Sequence, residues 1–377
     1  MATTKVTTDV IDMSGNAGGL TWVKGTTAQR TTTTIGDLRE NTDTNRTEIY
    51  TNQTGTAEWR NLKETTATSS DSEYLVVAGG GGGGSSSSGG GGGGAGGYLT
   101  NFGGTKISLL SGTAYNITVG TGGAGLPNET SGTASSGTDS VLSGSGITTI
   151  TASGGGGATN VTGASANGGS GAGAQGGTNV TAGSGNTPST TPSQGNDGGA
   201  GSNPSDVGGG GGGAGGAGQS GGAHNSANDG KGGAAISNSI TGTAVNYAGG
   251  GGGGVCDFVD NGSNTGQGQA VGANAGGDGG VSQNGVDNFA NGSNADTNTG
   301  SGGGGGSRSA GGTAATGGNG SSGIIIIRNT MPSATFSAGV TVNGTGPTSA
   351  GQSVNGTSDG SDYVYRITIA NADTITF

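Results

Sequence analysis

Glycine occurs in uninterrupted runs through the middle of the chain, and these runs limit how the chain can fold. They occupy residues 79–84, 89–94, 154–157, 208–213, 249–254 and 302–306. Ordering one residue costs about 1–2 kcal/mol, and the cost is highest for glycine. Only 27% of the residues are hydrophobic, so side-chain burial alone does not offset this cost. Any ordered structure must rely on backbone hydrogen bonds between closely packed segments.

Two apolar strings bracket the glycine runs. Residues 74–78 lead into the first run, and residues 324–328 follow the last. Such residues favour strands, so the sequence predicts two strands that pair and close one folded unit. The alternative is a disordered low-complexity spacer, which 97 Gly and 6 Pro in 377 residues would also fit. The internal strings at 106–110, 115–119 and 147–150 argue against that alternative.

The conformation expected for the glycine runs is an extended helix. A six-residue run in polyproline II conformation makes two turns, extends about 19 Å and has no internal hydrogen bonds. Its amides and carbonyls must therefore bond to neighbouring segments. We predict a mostly β fold with a bundle of glycine-rich, polyproline-II-like segments and essentially no α-helix. Short strands with few hydrophobic residues would share a core in a trimeric fibre.

The charge balance and the cysteine count exclude several classes of protein. The net charge is −11, whereas nucleic acids and anionic membranes attract basic surfaces, so neither is an expected partner. Cys256 is the only cysteine and cannot form a disulfide within the chain. No apolar run approaches the roughly 20 residues that span a bilayer, and residues 1–5 do not open a signal peptide. We expect synthesis in a cytoplasm and no membrane insertion.

Composition changes divide the chain into four predicted segments. These are a first β module at 1–65, a polar linker at 66–73, the glycine-rich domain at 74–328 and a C-terminal β module at 329–377. Turn-forming residues 41–45 between alternating strings predict a hairpin in the first module. Asn343-Gly344 and Asp359-Gly360 give the same signal in the last one.

Four short motifs follow one another in the first module: G-T-x-x-Q-R at 25–30, G-x-x-R-x-N-T at 36–42, E-x-Y at 48–50 and the tryptophan Trp59. In this order they resemble a repeat found near the N-termini of bacteriophage tail-fibre proteins, marine ones included. The start of the chain, residues 5–15, is also similar to the start of such fibres. The resemblance implies that residues 1–65 attach the chain to other tail proteins.

Three strings mark the glycine-rich segment: V-V-A-G-G-G-G at 76–82, T-x-Y-x-I-T-V-G-x-G-G-A-G at 113–125 and an isoleucine run with arginine at 324–328. In this order they resemble a glycine-rich domain common in phage tail proteins. Together the resemblances imply a structural, non-enzymatic tail-fibre protein of the virion. It would form a homotrimer, be made in the host cytoplasm and contribute to attachment to a host-surface glycan or outer-membrane protein.

Two aromatic-containing loops are the candidate receptor contacts. The candidate residues are Asp257, Phe258, Asp260, Asp287 and Phe289. Exposed aromatics beside acids and amides suit recognition, and loops on a rigid scaffold usually carry it. In the competing interpretation Phe258 and Phe289 fill small cores at the ends of the bundle.

No motif predicts catalysis, a cofactor or a metal site. Matches to G-x-G-x-x-G are expected by chance among so many glycines and lack the following helix. His224 and Cys256 cannot build a zinc site within one chain, although three copies of His224 on a trimer axis remain an alternative. Acidic stretches near Asp278 leave a structural calcium ion open. Asp257 and Asp260 leave open a glycan-cleaving enzyme, which would need paired acids.

Two further alternatives concern assembly and surface chemistry. Glycine-rich layers that stack between subunits without closing would make an extracellular filament or coat. An ice-binding protein would need a regular ladder of short polar residues, which the irregular spacing of the runs does not favour.

Overall fold

The computed structural model comprises two units, Met1–Thr66 and Ala67–Phe377. It describes residues 23–30, 35, 37–44, 46–51, 57–61, 69–86, 88–128, 130–177, 180–203, 205–222, 230–255, 276–280, 291–307 and 314–377. The fold is mostly β, with 31% strand and 1% helix, which confirms the predicted fold class.

A small four-stranded sheet makes up the described part of the first unit. Its strands, in spatial order, are β1 (Val23–Gly25), β2 (Leu38–Asn41), β3 (Arg46–Thr51) and β4 (Glu58–Asn61). Strands β1 and β2 are parallel, and the other pairs are antiparallel. A 3-10 turn, Thr27–Gln29, links β1 to the following chain. The hairpin predicted at residues 41–45 is confirmed as the β2–β3 connection.

Two larger sheets form one end of the second unit. The seven-stranded sheet contains β5 (Ser69–Val77), β6 (Tyr98–Thr100), β7 (Ile107–Leu110), β15 (Ile324–Asn329), β17 (Thr341–Val342), β19 (Thr357–Asp359) and β20 (Asp362–Ile369). The six-stranded sheet contains β8 (Ala114–Thr118), β9 (Ser140–Gly144), β10 (Ile150–Ala152), β16 (Ser333–Phe336), β18 (Gln352–Asn355) and β21 (Asp373–Thr376). Two-stranded pairs are β11 (Gly163–Ala164) with β12 (Val180–Thr181) and β13 (Ile236–Asn238) with β14 (Val245–Tyr247).

The two strings that bracket the glycine runs pair as predicted. Strand β15 lies antiparallel to β5, with Ile324 opposite Val77. From Leu75 to Val77 and from Ile324 to Ile327 the two strands are buried on both faces. Ile325 and Val76 join a core between the two sheets, and Ile326 joins a second core under the β13–β14 hairpin. The chain therefore enters and leaves the glycine-rich bundle at neighbouring points.

Between these two strands, the glycine runs form the predicted polyproline-II-like bundle. In the run that follows β5, successive amides donate to three different neighbours, and the pattern repeats at every third residue. Gly79 and Gly82 donate to Thr138 and Ser135, Gly80 and Gly83 to Ser321 and Gly318, and Gly81 and Gly84 to Gly94 and Gly91. A repeat of three residues per turn, with every bond leaving the segment, is the geometry of a polyproline II helix.

This first run is surrounded on all sides by other segments. Besides the three segments that accept its bonds, three more donate to it: Gly123, Gly155 and Gly303 bond to the carbonyls of Gly80, Gly79 and Gly81. The run is therefore the centre of a six-neighbour arrangement. Its backbone polar groups are paired without any side chain, which accounts for order in a chain with so few hydrophobic residues.

At the edge of the bundle, short polar side chains take the place of missing neighbours. The amide of Gly125 donates to Asn319 Oδ1 at 2.9 Å, and that of Gly154 donates to Asp139 Oδ1 at 2.8 Å. The amide of Gly185 bonds in the same way to Asp197 Oδ1 at 2.7 Å. These side-chain oxygens accept hydrogen bonds from amides that would otherwise donate to an additional glycine segment.

The sequence-based segment boundaries differ from the structure at two points. Strand β5 begins at Ser69, so most of the expected linker at 66–73 belongs to the sheet. Ser70 and Ser72 are buried there, which composition alone does not reveal. The segment 329–377 is not a separate unit either, because β20 pairs with β15 and β21 pairs with β8. Its strands complete sheets that the glycine-rich segment begins.

Candidate functional site

The motif residues of the first unit converge on one buried carboxylate. Glu48 on β3 is fully buried and accepts two hydrogen bonds from the guanidinium of Arg30. Asn41 Nδ2 donates to Glu48 Oε1 at 2.8 Å, and Arg39 Nε lies 3.9 Å from Glu48 Oε2. Arg39 also stacks over the ring of Trp59, 5.6 Å from its centroid.

Further residues of the same motifs tie the 3-10 turn to this cluster. Gln29 Oε1 accepts a bond from the amide of Thr26, and Arg39 Nη2 donates to the carbonyl of Thr26 at 2.8 Å. A Cβ on Gly25 would lie 2.9 Å from Arg39 Nη2, so a larger residue there would displace the end of the Arg39 side chain. These bonds hold the 3-10 turn against one face of the sheet.

Electrostatics agree with a structural role for this cluster. Burial raises the pKa of Glu48, but hydrogen bonds from Arg30 and Asn41 and the charges of Arg30 and Arg39 outweigh it, so the pKa lies below its ordinary value. This carboxylate is buried and accepts three hydrogen bonds from side chains of its own unit, which suits a structural role. We interpret the cluster as the device that holds the first unit together.

Arg328 forms a second charged cluster, in the seven-stranded sheet. Its Nε donates to Asp362 Oδ2 at 2.9 Å, and its Nη1 donates to Asp359 and to the carbonyl of Ile240. Glu73 on β5 lies 3.9 Å away. Arg328 thus joins β15 to β5, to the β19–β20 turn and to the β13–β14 hairpin. This is also a structural role.

The candidate receptor contacts lie outside the described residues. This applies to Asp257, Phe258, Asp260, Asp287 and Phe289, and to His224 and Cys256 as well. The described chain reaches Val255 before the first group and Gly280 before the second. The amide of Val255 donates to the carbonyl of Gly280 at 3.0 Å, so the two points are adjacent.

Both points lie at the end of the bundle that is remote from the large sheets, which we call the far end. The run that leaves β5 reaches this end at Gly84, whose carbonyl accepts from Gly306. Gly306 in turn accepts from Gly90, and Gly90 accepts from Gly254. The described turns at this end cap rigid segments, and loops held by a rigid scaffold often carry binding surfaces.

Three of these turns are tied together by Asn160. Its Nδ2 donates to the carbonyl of Ser85 at 2.6 Å and to that of Thr130 at 2.7 Å, while its Oδ1 accepts from the amide of Gly132 at 2.8 Å. The next residue, Val161, has 39% of its surface exposed. Neither residue was singled out by the sequence, because Asn-Val is an ordinary dipeptide with no turn signature of its own.

The described residues show neither a metal-ligand cluster nor a membrane-spanning helix. Among the described residues no group of three or more His, Cys, Asp and Glu side chains is arranged to hold a metal ion. Within the same residues no helix is long and apolar enough to cross a membrane. Around Asp278, where a calcium ion was left open, burial and the charge of Asp296 raise the pKa of that carboxyl.

Comparison with known proteins gives one match. A family model described as a glycine-rich domain covers residues 51–330, from the end of β3 in the first unit to just past β15. Neither curated proteins nor solved structures match the chain. Because the matched region covers well over half of the chain and contains the whole glycine bundle, the chain belongs to the glycine-rich domain family.

Proposed function

We propose that this chain is a structural tail-fibre protein of a bacteriophage virion, with no enzymatic activity. Residues 1–65 attach it to other tail proteins, and the bundle carries the attachment surface for a host glycan or outer-membrane protein. The observation that supports this most is the cluster around Glu48. Arg30, Asn41 and Glu48, which belong to the motifs that resemble the tail-fibre repeat, make direct contacts with one another in the described part of the first unit.

The bundle suits the second half of this role. Backbone hydrogen bonds in three directions make it rigid, and its ends are separated by extended segments. Such a body presents the far end at a fixed distance from the sheets. In the proposal, the receptor-facing elements are the far-end turns together with the sequence that follows Val255 and Gly280, which contains Phe258 and Phe289.

The principal alternative is a self-assembling filament or coat protein. It would require open bundle edges that accept segments of the next subunit. The caps supplied by Asn319, Asp139 and Asp197 occupy amides at these edges, which favours a closed assembly. A homotrimer is the closed form we propose.

The experiment that tests attachment uses particles from lysed producer cells. Antibodies against residues 67–377 should label the tails of intact virions in electron micrographs. Particles made with a chain that lacks residues 1–65 should lose the label. Unlabelled wild-type tails would refute the proposed function, and labelled deletion particles would refute the role of residues 1–65.

Assembly is measured separately, by light scattering after size exclusion. A closed trimer should have a mass of about 105 kDa, three times the 34.9 kDa of one chain. Polymers that elute in the void volume and appear as filaments would favour the alternative.

A further inference from the structure

We infer that Thr121 and Ala124 stop the glycine bundle from growing by addition of a second copy of the chain. Both residues are exposed on the 120–126 segment, at one edge of the bundle. Their side chains stand beside free backbone carbonyls that would otherwise accept hydrogen bonds from a further segment. This limit on assembly is independent of the attachment role proposed above, because it follows from backbone contacts within the bundle.

Contacts between neighbouring segments inside the bundle follow one rule, which the first run shows. A Cβ on Gly79 would overlap the carbonyl oxygen of Thr121. The next carbonyl of the run, that of Gly80, accepts from the amide of Gly123 in the same neighbouring segment. A side-chain position and the carbonyl that follows it thus face the same donor. The segment that accepts must therefore have glycine at every third residue, whereas the segment that donates need not.

The 120–126 segment obeys this rule on two of its faces. Glycines of two series point at neighbouring carbonyls: Gly120 and Gly123 face residues 133–138, and Gly122 and Gly125 face residues 316–321. The third series consists of Thr121 and Ala124, which are exposed. The segment is therefore glycine on the faces where it accepts other segments, and it carries side chains on the face that points outward.

This outward face is also an unused acceptor. By the same rule, the side chains of Thr121 and Ala124 lie beside the carbonyls of Gly122 and Gly125. No residue in the described part of the chain donates to either carbonyl. A further segment would reach them only if residues 121 and 124 lacked a Cβ, because its own carbonyls would overlap those side chains.

The other end of the same row of segments carries matching free donors. Each segment of the row bonds to the next: Gly123 to Gly80, Gly81 to Gly94, Gly92 to Gly209 and Gly210 to Gln219. The row ends at the 214–221 segment. There the amides of Ala217 and Ser220, three residues apart, donate to no residue that the structure describes, whereas those of Gly218 and Gly221 donate within the bundle.

The partner that fits the 120–126 edge is therefore the 214–221 edge of a second copy. Amides spaced by three residues would meet carbonyls of the same spacing, and the row would continue from one copy into the next. Because the two edges differ, this contact does not close and would produce filaments. Thr121 and Ala124 exclude the contact, as side chains on the edge strands of sheets exclude pairing with other chains.

Other outer segments share this arrangement. A non-glycine residue stands at every third position, and the carbonyl after it accepts no bond from the described chain: Asp197 and Ala200, and Thr316 and Asn319. The inner runs at 79–84, 89–94, 208–213 and 249–254 have no such interruption. Side chains with a period of three therefore mark the outer surface of the bundle.

Three variants test the role of these side chains. Thr121→Gly/Ala124→Gly opens the edge and keeps the backbone bonds, including that from the amide of Thr121 to Thr138 Oγ1 at 2.8 Å. The matched control, Thr243→Gly/Ala244→Gly, makes the same two substitutions at exposed residues of the β13–β14 loop. A third variant adds Ser220→Pro to the open edge, since proline cannot donate and its φ suits a polyproline II segment.

Light scattering after size exclusion, at several protein concentrations, measures assembly. The open-edge variant should have a weight-average mass about threefold or more above that of the wild type and should form filaments. The control should match the wild type, and the added Ser220→Pro should restore the wild-type mass. An open-edge variant that unfolds cooperatively and keeps the wild-type mass at every concentration would overturn the inference. Filaments that persist with Ser220→Pro would refute the 214–221 edge as the partner.

Two further outcomes are decisive. If the open-edge variant does not fold, Ala124→Gly alone takes its place, because it removes only the methyl group beside the carbonyl of Gly125. Its mass should rise with concentration, and a folded Ala124→Gly with constant wild-type mass would overturn the inference. Filaments formed by the wild type would also overturn it, and they would support the self-assembling alternative to the proposed function.

Discussion

The position that a Cβ would take on Gly93 lies 2.1 Å from the carbonyl oxygen of Gly81. The two residues belong to antiparallel neighbouring segments, joined by the bond from Gly81 to Gly94. The clashing atom is backbone that is itself bonded on other sides, so it cannot move away as a flexible side chain would. Close approach of this kind is possible only for glycine.

Gly93→Ala should therefore destabilise the second unit strongly. Inserting a methyl group into a packed interior typically costs about 1–3 kcal/mol, and rigid backbone neighbours place this case at or above the upper end. Gly216→Ala is the control, because its Cβ would be 3.7 Å from the nearest atom. In chemical denaturation monitored by circular dichroism, Gly93→Ala should have a lower midpoint than Gly216→Ala. Equal midpoints would show that the bundle adapts to side chains.

How much of this structure the sequence predicted depends on whether the interacting segments carry a distinctive sequence pattern. The pairing of residues 74–78 with 324–328 was predictable, because apolar strings next to glycine runs have few other partners. The threefold bonding of the bundle followed from glycine chemistry. The choice of neighbours did not, because identical glycine runs carry no information on which segment lies beside which.

The residues at the far end illustrate the same limit. Asn160 matters through carbonyl groups of Ser85 and Thr130, which are distant in sequence and are backbone atoms with no signature. In contrast, the residues of the cluster around Glu48 lie in motifs that are visible in the sequence, because their bonds use side chains at fixed spacings. Side-chain chemistry can be read from a sequence, whereas backbone acceptors become visible only in the fold.

Acid should unfold the first unit through Glu48. Its folded-state pKa is lowered, so the stability it contributes is present above the unfolded pKa and is lost as pH falls through the folded value. The relevant window lies below the ordinary glutamate pKa of about 4.3. Both tryptophans of the chain, Trp22 and Trp59, belong to the first unit, so tryptophan fluorescence reports this transition selectively.

Glu48→Gln tests the assignment. At neutral pH it should lower the stability of the first unit by about 3–5 kcal/mol, because Arg39 would be left buried without its counter-charge. In this variant the stability of the first unit should also depend less on pH in the acid range. Glu58→Gln removes a carboxylate whose side chain is 47% exposed and should change little. An unchanged acid profile in Glu48→Gln would mean that another group governs the transition.

Alkali should act on the core between the two large sheets through Tyr365. Burial raises the pKa of this phenol to about 12, and its hydroxyl donates to the carbonyl of Met331 at 2.7 Å. A raised folded-state pKa gives stability that is complete below the unfolded value of about 10 and is lost as pH rises through the folded value. Denaturation midpoints should therefore fall between pH 10 and pH 12.

Burial also raises the pKa values of Tyr74, Tyr98 and Tyr247. The contribution of Tyr365 to the loss of stability at alkaline pH must therefore be measured as the difference between the wild type and a variant that lacks its hydroxyl. Tyr365→Phe keeps the ring contacts with Phe336 and Phe377 and removes the titrating group. Its stability should depend less on pH in this window than that of the wild type. Parallel curves for the two proteins would contradict the assignment to Tyr365.

A chain that ends at Thr330 should fail to form the native second unit, although it contains the whole region that matches the glycine-rich family. It would lack β20, which pairs with β15 over five residue pairs, and β21, which pairs with β8. The core between the sheets would lose Phe336, Tyr365 and Ile367, among other buried side chains. We expect the shortened chain to bind a hydrophobic dye and to lose its cooperative thermal transition, since both sheets would lack strands and the core between them would be exposed. A chain that begins at Ala67 is the control and should unfold cooperatively at the wild-type temperature, because residues 67–377 form a compact unit. Cooperative unfolding of the shortened chain at that same temperature would show that the glycine bundle and its bracketing strands are sufficient on their own.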